Sequence, residues 1–209
     1  ATNGLWLDYN GLHAGPLTRV GEHRALGAKA DNLAAWQRLT GGLDAHSVPG
    51  DPQLADPSQF DYHLKTKETL GRRLPNGQRT SDTVSSPLLD AGNPASTAWT
   101  NEPIPNGGRV NVGKHGGTWA ASVAPSLPWL HAASFADAGS VSNGTVPLVW
   151  IAGGGLTTQT VAVGVSVDGG KTWTNSVATG VPATNGWAEW TVADLPDTPA
   201  AAWRVVLES

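Results

Sequence analysis

The residue types that could carry out acid–base or nucleophilic chemistry are scattered along the chain. Asp90 and Glu102 are two carboxylates in a turn-rich stretch, and glycoside hydrolysis requires such a pair at a suitable separation. The histidines are His13, His23, His46, His63, His115 and His131. They show no paired metal-ligand spacing, and none has a neighbouring Ser or Asp in a catalytic pattern. We therefore predict no catalytic residue and no enzymatic activity.

Three aspartates could supply oxygen ligands to calcium. Asp51, Asp56 and Asp61 recur at intervals of five residues. Their spacing is not that of an EF-hand, and the Asp-Pro pairs at positions 51 and 56 are common turn devices. The chain has no cysteine, which excludes disulfides and thiolate metal sites. We therefore expect no cofactor or metal, with calcium at these corners as the alternative.

Trp187 is the candidate contact residue for a glycan or for another chain. In a regular strand it lies on the face opposite Trp190 and shares its own face with Glu189 and Thr191. One of the two indoles should then be partly exposed. An exposed indole can stack on a sugar or form an assembly contact. The alternative is that it covers a neighbouring loop or the junction between two parts of the chain.

A short segment predicts a tight structural hairpin. The fixed positions of the pattern S-x-D-x-G-x-T-W are filled by Ser166, Asp168, Gly170, Thr172 and Trp173. The aspartate can accept turn amides, the glycine permits positive φ, and the indole can pack over the turn. The pattern resembles the Asp box of sialidase propellers, which carry several copies. Because this chain has one copy and is too short for a propeller, we interpret it as a hairpin lock.

The elements that position these residues change along the chain. From residue 146 to 209, apolar and polar residues alternate with turn signals about every 8–12 residues, which predicts a small antiparallel β-sandwich. This part resembles the fibronectin and immunoglobulin-like modules of secreted bacterial proteins. Residues 44–65 instead show short apolar steps separated by Asp-Pro corners, a rhythm typical of a β-solenoid coil.

One helix is predicted near residues 31–40. Leu33, Trp36 and Leu39 recur at helical spacing. Either Asp31 or Asn32 can cap its first turn, and the two glycines at 41 and 42 end it. A helix of this length needs a neighbouring element on which its apolar stripe can dock.

Three motifs in the first part resemble the C-terminal end of secreted right-handed parallel β-helix proteins. They are Asp-Tyr-His-Leu at 61–64, Ser-Pro-Leu-Leu-Asp-Ala-Gly at 86–92, and Asn-Gly-Gly-Arg-Val-Asn at 106–111. The resemblance implies terminal coils with a turn-rich cap, secretion, and a turn role for Asp90. The many upstream coils that carry the chemistry in enzymes of this family are not in the sequence, so no catalytic residue is carried over.

These patterns together predict an all-β protein with one short helix. We expect terminal β-helix coils and their cap in residues 1–118, a linker or first strand in 119–145, and a fibronectin or immunoglobulin-like sandwich in 146–209. The net charge of −4 and the lack of a basic patch argue against nucleic acid as a partner. No apolar run approaches the roughly 18 residues that a membrane span needs.

The leading functional hypothesis is a non-catalytic extracellular or cell-surface protein. It would act as a surface, adhesion or filament subunit that self-associates through an open coil edge and sandwich strands, because unpaired strand edges favour strand addition. The alternative is the C-terminal accessory region of a secreted polysaccharide lyase or glycoside hydrolase, which supports the β-helix and binds glycan.

Overall fold

The computed structural model describes residues 7–15, 19–126, 128–136, 139–141, 144–192 and 195–208. Over these residues the protein is all-β with one α-helix, which confirms the predicted fold class. The strands are β1 Gly11–Leu12, β2 Gly21–His23, β3 Ala28–Ala30, β4 Val48–Pro49, β5 Leu54–Asp56, β6 Asp61–Leu64, β7 Arg72–Arg73, β8 Arg79–Thr80, β9 Trp129–Ala132, β10 Gly144–Gly153, β11 Thr160–Ser166, β12 Asn175–Pro182, β13 Trp187–Val192 and β14 Ala202–Leu207.

The α-helix α1 spans Leu33–Thr40, within the predicted range. The side chain of Asn32 accepts a hydrogen bond from the Ala35 amide at 2.9 Å, so Asn32 and not Asp31 is the cap. Gly41 ends the helix with φ 71°, a conformation that suits glycine. No helix in the described part of the chain is long and apolar enough to cross a membrane.

Two three-stranded antiparallel sheets, ordered β13-β10-β9 and β12-β11-β14, pack face to face as a sandwich. Alternate residues of β11, namely Val161, Val163 and Val165, are fully buried and meet Leu148 and Trp150 from β10. Full burial of each valine stabilises the fold by about 1.5–3 kcal/mol. β9 falls inside the 119–145 stretch and pairs with β10, so the sandwich begins before residue 146.

The other face of β10 is also buried. Val149 and Ile151 point away from the sandwich interior and form a second core with Val48, Leu88 and Leu89 from the first part of the chain. β10 therefore reads as a nearly continuous apolar run in the middle, as expected for a strand covered on both faces. The first part of the chain is thus packed on the outer face of the β13-β10-β9 sheet.

The first part contains one parallel strand pair among the described residues. β1 lies beside β4 with Gly11 opposite Val48 and Leu12 opposite Pro49, a separation of 37 residues along the chain. The strands β2–β3, β5–β6 and β7–β8 form antiparallel hairpins. Among the described residues of this part, the β1–β4 pair alone has the parallel strand direction that stacked solenoid coils require.

Candidate functional site

The parallel pair leaves one edge of β1 without a strand partner among the described residues. The amides of Val48 and Gly50 donate to the carbonyl oxygens of Asn10 and Leu12 at 2.8 and 3.1 Å. Alternate residues of a strand direct their N–H and C=O groups to opposite edges. The amide and carbonyl of Gly11 therefore point away from β4.

Within the described chain, β4 is the only strand that pairs with β1. The carbonyl of Leu7 accepts a hydrogen bond from the Asp44 amide at 2.7 Å. The contact with the segment that leads into β4 therefore begins before β1. Gly11 is exposed, and the Leu7 side chain is 36% exposed. We call residues 7–12 the open coil edge.

A set of polar side chains holds the open coil edge on residues 44–47. The Asn10 side chain donates to Asp44 Oδ1 at 2.7 Å, and the Asn10 amide donates to the Ser47 hydroxyl at 2.8 Å. The Ser47 hydroxyl in turn donates to the same Asp44 oxygen at 2.7 Å. These groups satisfy one another in the interior, so the edge has a fixed position rather than a loose one.

An aromatic column lies beside these polar side chains. The rings of Tyr9 and His46 are stacked with centroids 5.1 Å apart and an interplanar angle of 13°. Asp8 accepts from both the ring Nδ1 and the backbone amide of His46, each at 2.6 Å. Burial raises the pKa of Asp8, but the hydrogen bonds and charge of His46 outweigh burial and hold the pKa below its ordinary value.

Trp187 ends the aromatic column. Its ring centroid lies 4.9 Å from that of His46 at an angle of 59°, and its indole packs on the second core. Trp190 lies on the opposite face of β13 and packs on the sandwich core, as the alternation predicts. Both indoles are half-buried. Trp187 therefore lies at the junction between the two parts of the chain, which was the alternative to a glycan contact.

The structure brings the hairpin residues together between β11 and β12. Asp168 accepts from the Ser166 hydroxyl and the Thr172 hydroxyl, both at 2.7 Å, and from the Thr172 amide at 2.9 Å. These hydrogen bonds, led by that of the Thr172 amide, lower the pKa of Asp168 to about 2. Gly170 has φ 85° and lies under the Trp173 ring. The hydrogen bonds of Asp168 stay within the turn, and the centroid of the Trp173 ring also lies 4.4 Å from the Arg204 guanidinium of β14, so these contacts hold the hairpin on the sheet.

Asp90 and Glu102 are shielded from solvent. They are 0% and 5% exposed, and Glu102 Oε1 accepts the amides of Asn111 and Gly117 at 2.9 and 2.6 Å. Burial, with the nearby Glu102 charge, raises the pKa of Asp90 to about 8, although the Arg109 charge opposes the shift. A substrate in solvent does not reach these two carboxyls, so their geometry is not that of a glycosidase pair.

The three candidate calcium ligands are occupied by different partners. Asp51 accepts from the Gln53 amide at 2.8 Å, and Asp56 accepts from the Ser58 hydroxyl at 2.5 Å. Asp61 binds the His63 ring at 2.6 Å. Over the described ranges there is no group of three or more His, Asp or Glu side chains that could hold a metal ion.

Sequence reasoning missed the residues that form the coil contact, notably Tyr9, Asp44 and His46. A weak signal for them exists: Leu-Asp occurs at 7–8, 43–44 and 89–90, and the last two copies are followed by Ala. Asp44 and Asp90 both adopt positive φ, 58° and 53°, so the repeated tripeptide marks a repeated turn.

Comparison of the chain with known protein families, with curated proteins and with solved structures finds no match in any of the three. The geometry of the residues described above therefore carries the functional argument.

Proposed function

We propose that the protein is a non-catalytic structural subunit of the cell surface or extracellular space, which self-associates through the open coil edge. The observation that carries this proposal is the edge of β1 that no strand occupies in the described part of the chain. One edge of the strand is occupied by β4 in a parallel ladder, and the other directs the Gly11 amide and carbonyl outward. A strand from a second copy can pair with those groups.

The backbone of the open coil edge is already held in place before another strand binds. It is fixed by the hydrogen bonds among Asn10, Asp44 and Ser47, so little conformational entropy remains to be lost on binding. The Tyr9 ring that stacks on His46 also belongs to this edge, and a further coil can continue the column. Association then repeats a contact that the chain already makes within itself.

Two of the four edge strands of the sandwich, β9 and β12, are less suited to strand addition. β9 lies close to the other sheet, where the Trp203 indole N–H donates to the carbonyl of Ser134 at 2.9 Å. β12 is irregular, with shifts of its register against β11 between Val161 and Gly164. Bulges and covered edges discourage pairing between chains. The proposal therefore assigns assembly first to the open coil edge, with β13 and β14 as the sandwich edges that remain for contacts with neighbouring chains.

Sedimentation velocity over a range of protein concentrations tests the proposal. We expect the wild-type protein to form larger species as concentration rises. Leu7→Lys places a charge beside the free strand edge and should weaken association by roughly tenfold or more, because charged residues oppose edge pairing. Leu26→Lys is the matched control: Leu26 is 63% exposed at the tip of the β2–β3 hairpin, and this variant should associate like the wild type.

A wild-type protein that remains a single monomeric species at every concentration would contradict self-association. Equal loss of association in the Leu7→Lys and Leu26→Lys variants would place the contact elsewhere on the surface.

A further inference from the structure

A second surface feature lies at the junction between the coil part and the sandwich. A cleft of about 450 Å³ opens between the coil segments and strand β9. We call it the junction cleft. The lining residues used below are Pro49, Asp51, Gln53, Ser85, Trp129 and His131. Clefts between packed parts of a chain are common positions for small-molecule sites.

The floor of the junction cleft includes a fixed indole. Trp129 is half-buried, but its ring nitrogen is fully shielded from solvent. A Cβ atom on Gly153 would collide with both Nε1 of Trp129 and Oδ2 of Asp90, so the N–H edge of the ring is directed into the protein. The exposed part of Trp129 therefore does not include this nitrogen, and the carbon face of an indole is a surface that stacks on the C–H face of a sugar ring.

His131 stands beside this indole. It lies two residues further along β9 on the same face, which places it roughly 7 Å away along the strand. Burial lowers the pKa of His131, so its imidazole is neutral at neutral pH. A neutral imidazole has one donor and one acceptor, and both can bind hydroxyl groups.

The rim of the junction cleft is polar without being basic. The Asp51 carboxylate accepts the amide and the side-chain N–H₂ of Gln53 at 2.8 and 2.9 Å, which holds both residues in place. The Ser85 hydroxyl oxygen accepts a hydrogen bond from the Lys67 amide at 3.0 Å. The hydroxyl proton has no acceptor among the described residues, so it can donate to a ligand. The described lining contains no Lys or Arg and one carboxylate, so an anionic ligand is disfavoured.

We propose that the junction cleft binds an uncharged oligosaccharide, with a sugar ring stacked on Trp129 and its hydroxyls hydrogen-bonded to His131, Gln53 and Ser85. An apolar face flanked by neutral donors and acceptors suits a neutral sugar, and the Asp51 charge repels uronic acids. This site goes beyond assembly at the open coil edge and uses none of its residues. It also moves the sugar-stacking role from Trp187 to Trp129.

Affinity electrophoresis tests the site with defined probes. The wild-type protein is run in native gels that contain β-glucan, xylan, galactomannan or an α-glucan, and in a gel that contains polygalacturonate as the anionic polymer. We expect retardation by at least one neutral polymer and none by polygalacturonate. Trp129→Ala should weaken binding by roughly tenfold or more.

Two further variants keep the test decisive. His131→Ala removes a hydrogen bond without opening the second core, and should weaken binding roughly threefold to tenfold even if Trp129→Ala fails to fold. Trp119→Ala is the control, because Trp119 is 62% exposed on the cap and contacts Arg73 rather than the cleft. It should bind like the wild type.

Three results would overturn the junction cleft as a neutral-sugar site. The first is no retardation by any of the neutral polymers, and the second is retardation by polygalacturonate alone. The third is a loss of binding in Trp119→Ala that equals the loss in His131→Ala. Assembly at the open coil edge is tested separately with Leu7→Lys and Leu26→Lys. The sugar site can therefore be disproved while the assembly proposal stands, and the reverse.

Discussion

Asp44 and Asp90 lie in two copies of the same Leu-Asp-Ala turn, but their carboxyl groups have different hydrogen-bond surroundings. Both are buried and both have positive φ. The Asp44 carboxylate accepts hydrogen bonds from Asn10, Ser47 and Trp36 at 2.7, 2.7 and 2.9 Å. Both carboxyl oxygens of Asp90 are buried without a hydrogen-bond partner among the described residues. The protein therefore supplies hydrogen-bond donors to one aspartate and, over the described ranges, none to the other, and burial favours the protonated form of Asp90.

Asp90 should make the protein less stable as pH rises. Its pKa in the folded protein is about 8, against an ordinary value of 3.8, so the folded protein keeps a proton that the unfolded chain releases. The free energy of unfolding should fall between about pH 4 and pH 8, by at most about 1.4 kcal/mol per pH unit from this group. Asp90→Asn keeps the turn and removes the titration. Urea unfolding at several pH values should therefore show a flatter pH profile for this variant.

Asp44→Asn tests the hydrogen-bonded turn. It removes at least one of three buried hydrogen bonds and should cost about 1–3 kcal/mol of stability in urea unfolding. If Asp90→Asn and the wild type show the same slope, Asp90 is not the titrating group.

At the scale of elements, the hairpin and the helix could be predicted from the sequence because their contacts are local. The Asp168 carboxylate binds groups no more than four residues away, and Asn32 binds the amide three residues ahead. Residue types at fixed short spacings are sufficient to predict such contacts. The alternating β11 and β13 patterns likewise predicted which faces are buried.

The cap of α1 provides a direct stability test. Asn32→Ala removes the acceptor for the Ala35 amide at the first turn, and should destabilise the protein by about 0.5–2 kcal/mol in urea unfolding. Asp31→Ala, one position earlier, is the control and should change stability by less than about 0.5 kcal/mol. A larger loss from Asp31→Ala than from Asn32→Ala would contradict the assignment of the cap.

The contacts that join distant elements were not predictable from spacing. Trp187 meets His46, and β10 buries its second face on Leu88 and Leu89, which are far away in the sequence. The apolar run in β10 indicates that both faces are covered but does not say by what. The parallel register of β1 on β4 depends on a turn that the Leu-Asp repeat marks only weakly. For these reasons the contacts of residues 7–12 with residues 44–50 could not be derived from the sequence.

At the scale of the whole molecule, one continuous set of contacts runs from the coil to the sandwich. Tyr9 stacks on His46, His46 contacts Trp187, and Trp187 lies on β13 of the sandwich sheet. The sandwich therefore contacts one side of the segment that carries His46, and the open coil edge lies beside the same segment. In the proposed association, one free edge of this kind joins copies in pairs, whereas a growing assembly also needs a second complementary surface.

Hydrogen exchange of the Gly11 region at low and high protein concentration tests whether copies of the protein associate through the open coil edge. The Gly11 amide points away from β4, so only a strand added at the open coil edge would protect it. We predict that amides in residues 8–13 exchange more slowly as concentration rises, while those around Leu26 at the hairpin tip do not change. Exchange in residues 8–13 that is the same at all concentrations would contradict self-association through this edge.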